Sequence, residues 1–145
     1  MKPFVLDVQI RWSDLDPNNH MRHSVYYDLG ALSRIQFFNR HDLTVQKMQE
    51  LHFGPILFKE ECIFRRELVL DDPVTINLEV LKAKKDYSRW SIQHTIMKNP
   101  ETISAILTVD GAWIDTIRRK LALPHAVAEE VFSQMPLHKD FQWIN

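Results

Sequence analysis

Two hydrophobic patterns meet at a short polar stretch, Asp14-Leu15-Asp16-Pro17-Asn18-Asn19-His20. Before it, residues 4–12 alternate between apolar and polar side chains, the period of a half-buried strand with Trp12 on the apolar face. After it, residues 24–39 are apolar on almost every side, as in a helix that other structure encloses. Pro17 ends the strand and favours an extended Asp16, so this carboxylate is predicted just before the positive N-terminal end of the helix.

The rest of the chain is predicted to be mostly strand. Gly54-Pro55 predicts a stop after a short helix over residues 45–51, with the glycine in the left-handed cap position. Further strands are predicted at residues 56–64, 74–80, 89–96 and 103–114, and the segments between them are short and rich in turn formers. Such connections indicate an antiparallel sheet. One nearly all-apolar helix with one long sheet predicts an α+β fold in which the sheet curls around the helix.

Length and composition predict one domain. A chain of 145 residues with 45% hydrophobic content can bury a substantial core. The formal net charge of −1 argues against nucleic acid or an anionic membrane as the main partner. Cys62 is the only cysteine and the chain has three glycines, which excludes an intramolecular disulfide, a cysteine zinc site and a Gly-rich phosphate loop. No apolar run reaches the roughly 18 residues of a membrane span, so we expect a cytoplasmic protein.

The strand-to-helix junction resembles the hotdog-fold acyl-CoA thioesterases, in particular the branch that includes the 4-hydroxybenzoyl-CoA thioesterases. In that branch an Asp-x-Asp loop follows a strand, a tyrosine lies near the start of a long central helix, and an arginine follows further along. The matching residues here are Asp14, Asp16, Tyr26 and Arg34, and His20 matches a histidine of the family's loop.

Other positions of the junction match the family or depart from it. His23 stands where some bacterial members carry histidine. Asn19 replaces the usual glycine, Arg22 and His23 replace the two asparagines, and Ala31 stands where a glutamate is common. The likeness extends to about residue 130 and ends in a basic turn and proline at residues 118–124. The departures bear on the substrate class more than on the fold.

The resemblance implies an α+β hotdog fold, an antiparallel sheet curled around one long central helix, as a single domain over residues 1–145 with a C-terminal helix and tail from about 124. It implies hydrolysis of a fatty or aromatic acyl-CoA to free acid and CoA. Asp16 would act as general base or nucleophile, and helix N-terminal amides near His23 would polarise the thioester carbonyl. No cofactor is implied. The family's edge-to-edge pairing implies a homodimer or a tetramer of dimers, with the site at the subunit interface.

Further residues are expected to contact the substrate. His23 is a second catalytic candidate, as a proton shuttle, because histidine titrates near neutral pH. His20 and Tyr26 would contact the substrate near the thioester, in a largely apolar acyl pocket. Lysine and arginine pair well with phosphate oxygens. The candidates to meet the CoA phosphates are Arg65, Arg66, Lys82, Lys84, Lys85, Arg89 and the basic residues 118–120.

Each candidate also has a simpler interpretation. Asp16 would serve only as a turn or cap residue, which is common for Asp-Pro pairs. With His20 and His23 it could form a metal cluster, but the two histidines lack helical i, i+4 spacing, so no metal site is predicted. His94 falls on an apolar strand face and is expected in the core. Arg34 is expected to be structural and to reach a carboxylate or backbone carbonyls, because an unpaired buried charge is costly.

Three other functions remain open for the same fold. An acyl carrier protein thioesterase would need a basic docking surface for its partner. A hotdog dehydratase or hydratase would act on an enoyl thioester without releasing CoA. A non-catalytic acyl-CoA binding module would bind the ligand without turnover, an alternative that the alanine at position 31 keeps open.

Overall fold

The structure, a computed structural model, describes residues 2–145. Its α-helices are α1 (His23–Arg40), α2 (Val45–Glu50) and α3 (Ala126–Ser133), and a 3-10 turn at Trp12–Asp14 precedes α1. Its strands are β1 (Val5–Val8), β2 (Phe53–Phe64), β3 (Val74–Asn77), β4 (Glu79–Ala83), β5 (Arg89–Asn99), β6 (Thr102–Asp115), β7 (Lys120–Leu121) and β8 (Leu137–Trp143).

The strands form one curled sheet in which almost all neighbours run antiparallel. β2 pairs with β6, β6 with β5, and β5 with both β3 and β4. β3 and β4 lie end to end along β5 and are separated at Leu78, so they form one interrupted strand. β1 pairs with the outer side of β3, and β8 pairs with β4 in parallel. Among the described residues β2 has no strand neighbour other than β6, so its other edge is open.

The helix α1 supplies much of the core, as predicted. Its N-terminal half contributes Val25, Tyr26 and Leu29 to one buried cluster, and its C-terminal half contributes Phe37 and Phe38 to a second. Both clusters include side chains from the sheet, among them those of β3 and β4. The sheet therefore curls around one long helix, which is the predicted α+β arrangement.

One flank of α1 is not enclosed. Asp28, Ala31 and Leu32 are exposed, Leu32 to 43%, because the sheet covers only one side of the helix. The prediction of a fully enclosed helix is wrong in this respect. On the covered side Gly30 allows close packing, since a Cβ there would overlap the Leu107 side chain of β6.

The predicted first strand is shorter in the structure. β1 ends at Val8, and Trp12 begins the 3-10 turn with 80% of its surface exposed, although alternation predicted it on the buried face. Phe4 and Ile10 are buried as expected. The Arg11 N–H donates to the Asp14 carboxylate at 3.0 Å. A local turn, rather than strand pairing, therefore sets the direction of the chain here.

The predicted stop at Gly54-Pro55 is also wrong. His52 takes the left-handed conformation after α2, with a φ of 57°, and both Gly54 and Pro55 lie within β2. Proline has no N–H to donate to a sheet, and an edge strand such as β2 tolerates this loss.

The C-terminal tail packs on its own domain as β8 after the predicted terminal helix, α3. The Val80 N–H donates to the Pro136 carbonyl at 2.8 Å, and the Ile144 N–H donates to the Ala83 carbonyl at 2.9 Å. These bonds cover the outer side of β4 and add a parallel strand to a sheet that was predicted to be antiparallel throughout.

Candidate active site

The Asp16 carboxylate lies in a closed loop just before α1. Its Oδ1 accepts the N–H groups of Asn18 at 2.8 Å and His20 at 3.2 Å. The Asp16 N–H donates to the His20 carbonyl at 2.8 Å, and Asn19 takes a left-handed φ of 64° that lets the loop close. Within residues 2–145, Oδ2 has no hydrogen-bond partner. Asp16 is therefore a turn residue whose Oδ1 is fixed by two backbone N–H groups. Its second carboxylate oxygen, Oδ2, stays without a partner within the described chain.

The neighbouring Asp14 has a different environment. It is buried, and its carboxylate accepts the Arg11 guanidinium Nη2 at 2.8 Å in an ion pair. The hydrogen bond with Arg11 holds the pKa of Asp14 below its ordinary value. The Asp14 carbonyl accepts the Arg22 N–H at 2.7 Å. Asp14 thus fastens the loop to the start of α1, and its carboxylate is already occupied.

The N-terminus of α1 lies beside this loop. Arg22 is the N-cap residue and gives no side-chain cap, because a guanidinium has no acceptor; it donates to the Ser13 carbonyl at 2.9 Å and to the Ser24 Oγ at 3.0 Å. His23 is the first helical residue and is exposed. The first amides of a helix have no intrahelical acceptor and carry partial positive charge. The Val25 N–H donates to the Arg22 carbonyl at 3.0 Å, whereas the amides of His23 and Ser24 have no acceptor within the described chain.

A cleft of about 300 Å³ contains the loop and the helix end. Its lining residues are Asp16, His20, Met21, His23, Tyr26, Phe64, Arg65, Arg66 and Glu67. The structure therefore brings together six of the predicted site residues: Asp16, His20, His23, Tyr26, Arg65 and Arg66. Sequence reasoning missed Met21, Phe64 and Glu67, because only the position of the end of β2 beside α1 reveals them.

Tyr26 forms a wall of the cleft. Its ring is 3% exposed and contacts the Phe64 ring edge to face, with the centroids 4.9 Å apart. Burial raises the pKa of Tyr26, which keeps its phenol protonated at neutral pH. It can therefore shape the cleft and offer an O–H, but it cannot act as a base there.

Three predicted phosphate contacts lie outside this cleft. Lys82 is exposed on β4, while Lys84 and Arg89 line a different depression, of about 280 Å³. Arg89 pairs with residue 112 of β6 and Phe64 with residue 105, so seven residues separate them along that strand. At about 3.3 Å per residue this is roughly 23 Å. Within one chain, Arg65 and Arg66 are the cations at the cleft.

Arg34 and His94 form a buried polar pair beneath α1. The Arg34 Nη1 lies 3.0 Å from the His94 Nε2, and the His94 Nδ1 lies 2.8 Å from the Asn77 carbonyl oxygen. Because arginine only donates, Nε2 accepts and Nδ1–H donates. Burial, with a further contribution from Arg34, lowers the pKa of His94 to about 3, so the ring is neutral. His94 is a satisfied core histidine as predicted, whereas the expectation that Arg34 reaches a carboxylate or carbonyl is wrong.

A second, largely apolar pocket of about 320 Å³ lies between α1, α2 and β2. Its lining residues are Ala31, Arg34, Ile35, Phe38, Val45, Met48, Pro55, Leu57 and Trp90. We call it the helix-flank pocket. It lies beside the uncovered flank of α1, whereas the Asp16 cleft lies at the helix N-terminus.

Residues 2–145 contain no group of three or more histidine, cysteine or acidic side chains arranged to hold a metal ion. None of the described helices has the length and apolar character needed to cross a membrane.

The chain is similar to known proteins in sequence and in structure. A sequence model described as the thioesterase-like superfamily matches residues 10–131, and no curated protein sequence matches the chain. A 1,4-dihydroxy-2-naphthoyl-CoA thioesterase from Synechocystis gives a TM-score of 0.81 at 15% identity, covering 92% of this chain and 97% of that one. A protein from Staphylococcus aureus, solved in complex with CoA, gives a TM-score of 0.83 at 20% identity, covering 95% of this chain and 89% of that one. A Thermus thermophilus thioesterase complexed with coenzyme A and Zn gives a TM-score of 0.72 at 21% identity, covering 88% of this chain and 90% of that one.

These structural similarities, at such low identity, show the fold alone. The family match adds sequence evidence over residues 10–131, a range that includes the Asp16 loop, all of α1 and the central strands. The chain therefore belongs to the thioesterase-like superfamily, which confirms the predicted hotdog fold and the predicted enzyme class, a thioester hydrolase.

Proposed function

We propose that this protein hydrolyses an acyl-CoA thioester to a free acid and CoA. One observation carries the proposal: Asp16, whose Oδ2 has no partner, and His23, whose backbone amide has no acceptor within the described chain, line the same cleft. A carboxylate oxygen beside amides that can accept developing negative charge is what acyl transfer requires.

The chemistry proceeds at the thioester carbonyl. As general base, Asp16 takes a proton from a water molecule while the water oxygen bonds to the carbonyl carbon. As nucleophile, its Oδ2 bonds to that carbon and forms an anhydride that water then cleaves. In both routes the carbon–sulfur bond breaks and CoA leaves as a thiolate, which takes up one proton. His23, exposed at the first position of α1, is our candidate for delivering that proton.

The substrate handle is proposed to be coenzyme A. Arg65 and Arg66 are exposed at the cleft and can pair with phosphate oxygens, and His20 lies on the opposite loop. Two of the structurally similar proteins were solved with CoA. Lys82, Lys84 and Arg89 are too distant within one chain, so they would reach this handle only from a second copy. Fatty and aromatic acyl groups both remain candidates.

A second copy is proposed at the open edge of β2, giving a homodimer or a tetramer of dimers. Phe58, Ile63 and Phe64 of this strand are each at least 50% exposed, which is unusual for an unpartnered edge. Antiparallel pairing of two β2 strands in full overlap would set Phe53 of one copy opposite Phe64 of the other. The Asp16 cleft of each copy would then lie beside the helix-flank pocket of its neighbour.

Sedimentation at micromolar concentration tests this assembly. The wild type is expected to be at least dimeric, and Ile63→Lys is expected to be monomeric and inactive because it replaces an exposed apolar side chain of the pairing edge by a charge. Lys139 is exposed on β8, at the opposite edge of the sheet, so Lys139→Glu is the control. A stable, active wild-type monomer would refute the interface location of the site.

A thiol-release assay over acyl-CoAs of different chain length and ring content tests the activity. Asp16→Asn is expected to keep its fold and lower kcat by about 100-fold or more, because the amide retains the shape without the basicity. Asp28→Asn, on the exposed flank of α1, is the matched control and should retain wild-type rates. Wild-type rates for Asp16→Asn would refute the assignment. Turnover of acyl carrier protein esters alone, or of enoyl thioesters without thiol release, would identify the alternative functions.

A further inference from the structure

The strand β2 ends in a bulge that brings two consecutive arginines to the Asp16 cleft. The N–H groups of Arg65 and Arg66 both donate to the carbonyl of Ser104 in β6, at 2.8 and 3.0 Å. We propose that Ser104 is a positioning residue for substrate binding: it holds both arginines where their guanidinium groups meet the phosphates of CoA. The inference rests on the proposed acyl-CoA hydrolysis and on the proposed phosphate contacts of Arg65 and Arg66.

The bulge explains why two neighbouring residues share one cleft. Regular pairing of β2 with β6 ends at Phe64, opposite residue 105. In a regular strand, consecutive side chains face opposite sides of the sheet, so one of two adjacent arginines would point away. Two residues opposite one form a β-bulge, which interrupts this alternation and re-aims a side chain. Arg65 and Arg66 accordingly line the same cleft.

Ser104 is the residue on which this bulge is built. It is fully buried, as is the next residue, Ala105, although neighbours in a regular strand alternate. The strand β6 pairs with β5 at residues 103 and 105 but not at 104. The Ser104 side chain turns inward at this irregularity, and its Oγ donates to the Arg66 carbonyl at 2.7 Å. Ser104 therefore contacts the Arg66 backbone through both its carbonyl and its hydroxyl.

The chain that follows the two arginines is also fixed. The Lys98 Nζ donates to the Glu67 carbonyl at 2.7 Å. The Met21 N–H, from the end of the Asp16 loop, donates to the Leu68 carbonyl at 2.8 Å. The arginine side chains thus extend from a backbone that is already held in place, and a ligand has only the side chains to order. Loss of the Ser104 hydroxyl would remove part of this order.

Both guanidinium groups are free of anionic partners. Within residues 2–145, no carboxylate lies in ion-pair distance of Arg65 or Arg66. The Arg66 Nη1 donates to the Arg65 carbonyl at 2.9 Å, which uses one of the five N–H groups of that side chain. Arginine pairs with phosphate through two parallel hydrogen bonds. Two adjacent guanidinium groups therefore suit a ligand with several phosphate charges, such as the nucleotide part of CoA.

Ser104→Ala tests the inference on two substrates with the same acyl group, an acyl-CoA and the corresponding acyl-pantetheine, which lacks every phosphate. The KM for acyl-CoA is expected to rise about two- to tenfold, the equivalent of one hydrogen bond. The kcat should stay within a factor of about two, because contacts remote from the carbonyl are made equally in the ground and transition states. The kcat/KM for acyl-pantetheine should not change. An unchanged KM for acyl-CoA, or an equal fall in kcat/KM for both substrates, would overturn the inference and leave the proposed function intact.

Ser33→Ala is the matched control. Ser33 is also fully buried, and its Oγ donates to the Asn77 carbonyl at 3.4 Å, on a part of α1 that does not line the cleft. It should leave the KM for acyl-CoA unchanged, and a rise as large as that of Ser104→Ala would overturn the inference. If Ser104→Ala does not fold, Ser104→Cys, which substitutes a weak donor of similar size, is measured in its place with the same expectations.

A double-mutant cycle shows whether Ser104 acts through the arginines. Arg65→Ala/Arg66→Ala should raise the KM for acyl-CoA by itself. Adding Ser104→Ala should then give no further rise, because the groups that it positions are gone. A further rise as large as in the wild-type background would overturn the inference, and so would an unchanged KM in Arg65→Ala/Arg66→Ala.

If no CoA ester is hydrolysed, the proposed function fails and the role of Ser104 is tested by binding alone. Titration calorimetry then uses free CoA as the probe. A Kd for CoA that rises at least about twofold in Ser104→Ala, and not in Ser33→Ala, supports the positioning role. No binding of CoA to the wild type, or the same Kd in both variants, overturns it.

Discussion

Replacing Asp14 by asparagine should lower the stability of the protein and leave its catalytic rate unchanged. Asp14 is 4% exposed and accepts three donors from Arg11: the backbone N–H at 3.0 Å, the guanidinium Nε at 3.3 Å and the guanidinium Nη2 at 2.8 Å. A hydrogen bond to a charged group contributes about 1.5–3 kcal/mol. The Arg11 side chain is 75% exposed, so solvent screens the guanidinium interaction and the bond from the backbone N–H carries most of the loss. We expect a total loss of about 2 kcal/mol.

Thermal unfolding at pH 7, followed by circular dichroism, measures this loss. A chain of 145 residues has an unfolding entropy near 0.3 kcal/mol/K, so the melting temperature should fall by about 7 °C. Because Arg11 lowers the folded-state pKa of Asp14, its stabilisation is present above the ordinary carboxyl pKa and is lost as pH falls through the lowered one. The difference in melting temperature between the wild type and Asp14→Asn should therefore shrink in acid. An unchanged melting temperature, or a stable variant without turnover, would refute the division of roles between Asp14 and Asp16.

Three further predictions concern packing, protonation and the substrate handle. Gly30→Ala should cost about 1–3 kcal/mol of unfolding free energy in urea, because the new methyl overlaps Leu107, whereas Gly54→Ala, with open space around it, should not. The pKa of His94 lies near 3 in the folded protein and near 6.5 when exposed, so between pH 7 and pH 5 the unfolded chain binds a proton that the folded protein does not. The free energy of unfolding should therefore fall by about 2 kcal/mol over this range, and His94→Gln should remove that dependence on pH. Arg65→Ala should raise KM for acyl-CoA more than it lowers kcat, with an effect that salt weakens, and Lys139→Ala should change neither.

The sequence predicted the elements whose burial imposes a period. The alternation of β4 and β5 and the dense apolar pattern of α1 arise from contact with the core, so these elements could be predicted from the residues alone. Asp16 was predictable for a similar reason, because a short polar stretch between two buried elements must lie in their connection. Trp12 was not predictable in this way, since a hydrogen bond from Arg11 to Asp14 turns the chain before the alternation is complete.

Features that depend on pairing between distant segments could not be predicted. Phe64 reaches Tyr26 only because β2 pairs with β6, and no local pattern encodes that register. Arg89 was predicted to contact a phosphate because it is basic and follows a turn. Its guanidinium carbon instead lies 4.6 Å from the centroid of the Phe58 ring, far from the cleft. The partner of Arg34 is a histidine 60 positions away in sequence, so its identity follows only from the folded sheet.

The pair of Arg34 and His94 also constrains how the sheet can assemble. Neighbouring side chains of a strand face opposite sides, so a slip of β5 by one residue would turn His94 outward and leave the guanidinium buried without its acceptor. The same slip would separate the His94 Nδ1 from the Asn77 carbonyl that it contacts in β3. An all-apolar interior would accept such an error at little cost. In this protein, leaving a buried charge unpaired costs several kcal/mol, so misregistered sheets are disfavoured during folding.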